Sequence, residues 1–396
     1  MRVLPPLAAL VLFAGCAHRV GSTASVPAWR ERPGAVESRF YYYGNNRGLT
    51  VLTTGAIAEQ PVSRNVALTG QFLVDHIVVE TPASVHEDTG NQPTGHMHTD
   101  VDIVTSASVT VLGGDRLEKT RYEGTLGTNI DTSIRDAPTR FQPSARVSIE
   151  PDYQSYSGRL RMTTELFQRN TTLAGFIGFG HDRIDPLEAP MGDADRWPAT
   201  HDRINGGVSV SQILSPRLVL AAGLGLNYMF GNLSNPYRRA LVRTTLFPEI
   251  LPTTRARGTL YANLAWYLGW DTALHLRFGT YLDSWGVKAV IPHAAVTKDF
   301  SETVLVTFQY RFYWQTAASF YAFRYDDLEP ERTGDQRLGG IHEHQPGLEV
   351  AWTFLGRQGD FGSLTARAGY RLSLIEYRDL ERFVIGHIAL VGLGGS

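Results

Sequence analysis

The chain has 396 residues, a formal net charge of -2 and a pI near 6.6, so it lacks the basic excess that a nucleic-acid partner requires. Mean hydropathy is only -0.16 although Gly (39), Phe (18), Tyr (17) and Trp (7) are abundant, and this excludes a helical membrane protein built from apolar stretches of ~20 residues. Cys16 is the single cysteine, so no intramolecular disulfide can form.

The one long apolar run, Val3 to Ala14, follows Arg2 and ends in Phe13-Ala14-Gly15-Cys16. A short positive start, a compact apolar centre and small residues before the boundary predict a signal peptide over 1–15. The Ala-Gly-Cys ending resembles a bacterial lipobox, which implies that the thiol of Cys16 is the lipidation site. An ordinary secretory signal with an incidental cysteine is the other reading. Residues 16–37 are polar, carry Pro27 and Pro33 and show no periodicity, as expected of a flexible periplasmic linker.

From Ser38 to the end the recurring pattern is alternation with period two. Leu218, Leu220, Ala222, Leu224, Leu226 and Tyr228 share one face, with Val219, Ala221, Gly223, Gly225 and Asn227 on the other. Val304, Val306, Phe308, Tyr310, Phe312 and Trp314 likewise oppose Thr307, Gln309, Arg311 and Tyr313. A soluble sandwich would hide the greasy face in a core, whereas a membrane barrel turns it to lipid. Three features favour the membrane: segments of ~11 to 16 residues against the ~5 to 6 of soluble strands, aromatics at segment ends, and tight turns alternating with long polar loops. The aromatics expected in the interfacial girdles include Tyr41 to Tyr43, Trp266, Tyr267, Trp285 and Phe312 to Trp314.

The predicted strands are 36–44, 47–59, 64–80, 116–131, 140–151, 154–167, 169–183, 201–213, 215–231, 255–268, 271–285, 287–298, 302–317, 340–356, 361–375 and 383–394. The expected fold is therefore all-β, a single transmembrane antiparallel up-and-down barrel of about 16 strands, with 14 as the alternative count. Connections 81–115, 184–200, 232–254, 318–339 and 376–382 are expected outside the cell. The connection 132–139 falls on the periplasmic side and is expected to be unusually long.

Several runs resemble one bacterial family. They are Thr99-Asp100-Val101-Asp102-Ile103-Val104-Thr105-Ser106-Ala107-Ser108, Ser148-Ile149-Glu150-Pro151-Asp152-Tyr153, Arg169-Asn170-Thr171-Thr172-Leu173, Leu233-Ser234-Asn235-Pro236-Tyr237-Arg238, Tyr281-Leu282-Asp283-Ser284-Trp285-Gly286 and Tyr310-Arg311-Phe312-Tyr313. In this order they resemble the Domain of Unknown Function 3570, over roughly residues 70 to 350. The resemblance implies an outer-membrane barrel in a Gram-negative envelope and names no reaction. The chain departs from the family in a His-rich insertion near Val85 to His98, and in its ending Gly392-Leu393-Gly394-Gly395-Ser396, which lacks the terminal aromatic residue that many barrels present to the assembly machinery.

With the greasy face outward, alternation puts Arg121, Glu123, Arg146, Glu150, Arg159, Arg161, Glu165, His275, Arg277, Arg311, Glu349, Arg367 and Arg371 on the lumen wall. An Arg-rich lumen suits small polar or anionic solutes, because charged rings set pore selectivity. The alternative is a plugged interior whose charges pair across strands, the barrel then acting as scaffold or partner of an envelope complex. Loop 81–115 is the expected inward plug. Its His96, His98, Asp100 and Asp102 would share one face of an extended strand and are weak metal candidates, but with no second anchored pair at a familiar spacing a solvated loop is the better reading. The dipeptides His181-Asp182 and His201-Asp202 bracket loop 184–200 and are the basis of a third reading, a surface hydrolase with a His base. No catalytic residue, metal or cofactor is assigned. The expected partners are outer-membrane lipid, the barrel-assembly machinery and a periplasmic protein.

Overall fold

The computed structural model of the chain describes residues 34–45, 49–80, 116–187, 193–355, 364–378 and 382–395. The expected signal peptide, Cys16 and most of the linker lie outside these residues, as do His96, His98, Asp100 and Asp102 of loop 81–115.

Sixteen strands close into one antiparallel barrel. They are β1 (Ala35–Asn45), β2 (Leu49–Pro61), β3 (Val66–Glu80), β4 (Arg116–Ile134), β5 (Ala137–Glu150), β6 (Tyr153–Leu166), β7 (Thr171–Ile184), β8 (Ala199–Ser215), β9 (Leu218–Gly231), β12 (Thr254–Gly269), β13 (Thr272–Asp283), β14 (Lys288–Ser301), β15 (Val304–Gln315), β16 (Ile341–Leu355), β17 (Leu364–Tyr377) and β18 (Arg382–Gly395). The remaining two, β10 (Arg239–Val242) and β11 (Thr245–Pro248), form a small hairpin inside the β9–β12 connection. Each barrel strand pairs with the next, and β1 closes on β18 from Val36↔Gly395 to Asn45↔Gly386.

The outer wall identifies the solvent. Leu126 is 75% exposed, Leu226 64% and Ile177 61%, and comparable apolar side chains recur all round the barrel. A continuous apolar surface of this extent is stable against lipid, not water. The strands have 11 to 19 residues, enough to cross a bilayer when tilted. No helix among the described residues is long and apolar enough to cross a membrane; the crossing is made by strands.

The two ends differ. Both ends of the described chain and the turns at 135–136, 167–170, 216–217, 270–271 and 302–303 lie at one end, here the terminal end; the β7–β8, β9–β12 and β15–β16 connections lie at the other, the loop end, together with the short turns at 151–152 and 284–287. At the terminal end Trp270 is 87% exposed and Phe167 and Phe300 are also exposed, an aromatic fringe at the membrane boundary. The buried apolar clusters among the described residues all sit towards the loop end, for example Tyr43, Leu49, Val51 and Ile77 inside β1 to β3.

Three expectations are corrected and one alternative is excluded. The connection 132–139 is not a long loop: β4 and β5 continue through it, pairing Ile134↔Ala137 around Arg135 and Asp136, whose φ angles of 50° and 65° make a two-residue hairpin turn. The sequence obscures this turn because neither residue is Gly or Asn, and because Pro138 stands in the following strand. Trp285 is not in a lipid girdle; it is 5% exposed beneath the 316–340 connection, edge-on to Phe320 at 5.3 Å. Tyr43 points inward and is buried, because it shares the inner face with Tyr41 while Tyr42 faces out. A fourteen-strand count is excluded by the closed ring of sixteen.

Candidate functional site

Alternation puts odd-numbered residues of β4, β6, β12, β13, β15, β16 and β17 on the inner wall, and that wall divides into two layers. Towards the loop end, inward charges are buried and paired across strands. Arg121 bonds Asp75, Lys119 bonds Asp152, and Arg146 Nη2 donates to Glu123 Oε2 at 2.6 Å. Arg203 Nη1 donates to Asp182 Oδ2 at 2.7 Å and its Nη2 to Ser155 Oγ at 3.1 Å, while His201 Nε2 lies 2.9 Å from the same Asp182 oxygen. Arg255 is held by Asp283 and stacks 4.0 Å from the Trp285 ring centroid. Glu150 is buried in the same layer. Inside a low-dielectric wall an unpaired charge would cost several kcal/mol, roughly 3 to 5 when one partner is removed, so this layer is pinned.

Farther towards the terminal end the wall opens. Among the described residues Arg159, Arg161, His275, Arg277 and Arg367 face inward and are exposed. Arg159 lies over the Phe176 ring at 3.9 Å. Arg311, Glu349 and Arg371 are half-buried at mid-height, and Glu165 sits near the terminal rim, 3.1 Å from Arg169. The thirteen residues named from alternation therefore fall into four in the buried layer, five exposed positions, three half-buried positions at mid-height and one rim position. Sequence reasoning missed Asp75, Lys119, Arg203, Arg255, His293 and Glu343 on the same wall, and named Asp182 and His201 only as part of a surface site. The same parity rule finds them once strand boundaries are fixed.

The loop end carries a folded cap. The 232–253 connection places β10 and β11 against the 316–340 connection, through the parallel bridge Val242↔Tyr325 and the antiparallel bridge Ile250↔Arg332. Arg238 Nη1 donates to Asp335 Oδ2 at 2.7 Å and lies 3.6 Å from Glu249 Oε1. Thr333 hydroxyl donates to Glu249, and the Asn235 N–H donates to its other oxygen at 2.7 Å. Arg196 of the 185–198 connection adds bonds to the Glu249 carbonyl at 3.3 Å and the Ser234 hydroxyl at 3.2 Å. The cap reaches over the mouth: Tyr237 departs from β9, yet its ring lies 4.7 Å from Lys119 Nζ on β4, five strands away round the barrel. Burial raises the Asp335 carboxyl, but Arg238 and Arg337 outweigh it and hold the group well below the ordinary carboxylate range. Glu249 moves the other way, pushed up first by burial and further by Asp335.

The two His-Asp dipeptides do not make one site. His181 Nδ1 meets Asp202 Oδ1 at 2.7 Å on the outer wall, whereas Asp182 and His201 meet on the inner wall. Among the described residues no group of three or more His, Cys, Asp or Glu is placed to hold a metal ion.

With this geometry the chain compares as follows. The model of a family described as "Protein of unknown function (DUF3570)" matches residues 6–367. No curated protein matches the sequence. Among solved structures the barrel is similar to a bacterial polysaccharide outer membrane secretin, with 10% identity, TM-score 0.49, and coverage of 91% of this chain and 97% of that one. It is also similar to OmpT, an outer membrane protein of Vibrio cholerae, with 9% identity, TM-score 0.42 and coverage of 91% and 96%. A third is the ferric enterobactin receptor of Pseudomonas aeruginosa, with 10% identity and TM-score 0.43; the match takes in 87% of this chain and about half, 53%, of the receptor.

Proposed function

This outer-membrane β-barrel belongs to the family of unknown function DUF3570, and we propose that it is a channel or facilitator for small anionic solutes. The observation that carries the reading is the exposed set Arg159, Arg161, Arg277 and Arg367 on the inner wall. Guanidinium groups stay charged at any physiological pH, and a low-dielectric wall focuses their field along the lumen. Anions are concentrated there and cations repelled. The N-terminus and the open layer face the periplasm, and the cap narrows the outer mouth. The protein moves solute and performs no chemistry.

Recording from the purified, refolded protein in planar bilayers tests this. A potassium chloride gradient should give a reversal potential of anion-selective sign, and Arg→Gln changes at 277 and 367 should shift it towards zero. Silence in the bilayer, with intact heat-modifiable mobility on gels, rejects the channel.

The interlocked cap supports a second reading, in which the barrel is shut and serves as scaffold for a periplasmic partner docked through its N-terminal tether. Co-purification of one envelope protein, unaffected by the same Arg→Gln changes, would favour it.

A further inference from the structure

We propose that Arg277, His293, Arg311 and Arg371 form an oxyanion-binding site at mid-height in the lumen, taking a phosphate or carboxylate group. The inference deepens the anion-channel reading and rests on it for the direction in which solute is delivered.

The register is the first observation. Arg277 on β13 is directly opposite His293 on β14, and His293 is directly opposite Arg311 on β15. Two guanidinium groups and an imidazole thus occupy one row across three neighbouring strands. The two guanidinium groups stand two strands apart with the imidazole between them, and an anion shared among the three would accept charge-assisted hydrogen bonds from both arginines. Arg371 enters from β17, two strands beyond Arg311, and His293 lies within electrostatic reach of Arg277, Arg311 and Arg371 together.

The second observation is the space made for Arg371. It pairs with Gly347 on β16, and a Cβ at Gly347 would stand 2.7 Å from Arg371 Cγ and 3.2 Å from Gln309 Cγ. The missing side chain lets the Arg371 stem lie across β16 towards β15. Gln309 in turn holds His293, with Oε1 3.3 Å from Nε2. Glycine at this one position therefore arranges both the arginine and the partner of the histidine.

Two carboxylates stand beside the three arginines, which leaves an excess of positive charge at the row. Glu343 Oε2 takes Arg311 Nη1 at 3.0 Å, but Glu343 also accepts a hydrogen bond from Ser373, and Glu349 lies within reach of Arg371. Arg277, at the other end, donates from Nε to the neutral amide of Asn263 at 3.0 Å and is exposed to the lumen. A planar guanidinium presents paired donors that match two oxygens of one carboxylate or phosphate. Chloride offers no such pair of oxygens, so the geometry favours oxyanions over a simple halide.

The test is isothermal titration of the refolded full chain in detergent with inorganic phosphate, with succinate and with chloride as separate probes. Wild type should bind phosphate or succinate saturably and chloride at least tenfold more weakly; whichever oxyanion binds names the source. Arg277→Gln and Arg371→Gln should each weaken binding about tenfold or more, the loss expected of one charge-assisted hydrogen bond. Gly347→Ala should weaken it without changing charge, while Arg183→Gln, a charge change at an exposed pair outside this wall, should not. Heat-modifiable mobility certifies that each variant is folded. No saturable oxyanion binding, or equal binding by wild type, Gly347→Ala and both arginine variants, overturns the site. Conductance separates the two claims: an open channel without binding removes the site alone, and binding without conductance removes the channel alone.

Discussion

Arg203 and Asp182 meet at 2.7 Å inside the barrel wall with side chains only 7% and 0% exposed, one strand apart and shielded from water. Removing one partner leaves the other charge buried, which costs about 3 to 5 kcal/mol. Asp182→Ala should therefore lower the urea midpoint of the vesicle-inserted barrel by a correspondingly large amount. Asp185→Asn, which removes the exposed partner of Arg183, should change stability by less than about 0.5 kcal/mol. Equal effects of the two substitutions would show that the inner layer is hydrated.

The cap should tighten on mild acidification. Glu249 has a folded pKa above its unfolded value of about 4.3, so its contribution is fully present below that value and is lost as pH rises through the folded pKa. Asp335 has the opposite sign: its contribution is present above its unfolded value of about 3.9 and is lost only as pH falls through a strongly depressed folded pKa. Lowering pH from 7 to 5 should thus slow proteolysis within 316–340 in wild type. Glu249→Gln, neutral throughout, should be slow already at pH 7 and show little change. Parallel pH profiles for the two proteins would refute the assignment.

Sixteen strands were legible because a barrel wall obeys a single rule, lipid on one face and lumen on the other, that every segment repeats. Ile130, Thr132 and Ile134 keep that rhythm to the end of β4, but Arg135-Asp136 carries neither Gly nor Asn to announce the reversal. The cap was illegible for a different reason. Arg238 and Asp335 are 97 residues apart, and no periodicity relates two irregular connections that meet only in space. Trp285 shows the limit of reading aromatics from position alone: a strand-end tryptophan suits a lipid interface and a protein cap equally, and the loop that covers it decides.

Tyr325 is the hub of the cap. Its hydroxyl accepts from the Thr333 N–H at 2.9 Å and the Ala322 N–H at 3.3 Å, and donates to the Phe320 carbonyl at 2.9 Å. Tyr325→Phe keeps the ring packed against Ala240 and Val242 but strands those backbone groups, at about 1 to 3 kcal/mol for each buried donor. The expected result is faster cleavage within 316–340 and larger unitary conductance, with the urea midpoint of the barrel unmoved. A shift in that midpoint without change in cleavage would place the hydroxyl in the barrel's stability instead.

The Arg135-Asp136 turn makes the sharpest test of the corrected threading. Both residues hold positive φ, which costs a side chain roughly 1 kcal/mol or more and costs glycine almost nothing. Replacing the pair with Asn-Gly supplies the residues that such hairpin turns favour and should stabilise the barrel by about 0.5 to 1 kcal/mol, after allowing for the freedom that glycine adds to the unfolded chain. Asp136→Val places a β-branched side chain at the same φ and should destabilise by at least about 1 kcal/mol. Urea titrations of the two variants in vesicles should therefore move in opposite directions. If residues 132–139 formed a long flexible loop, neither substitution would shift the midpoint.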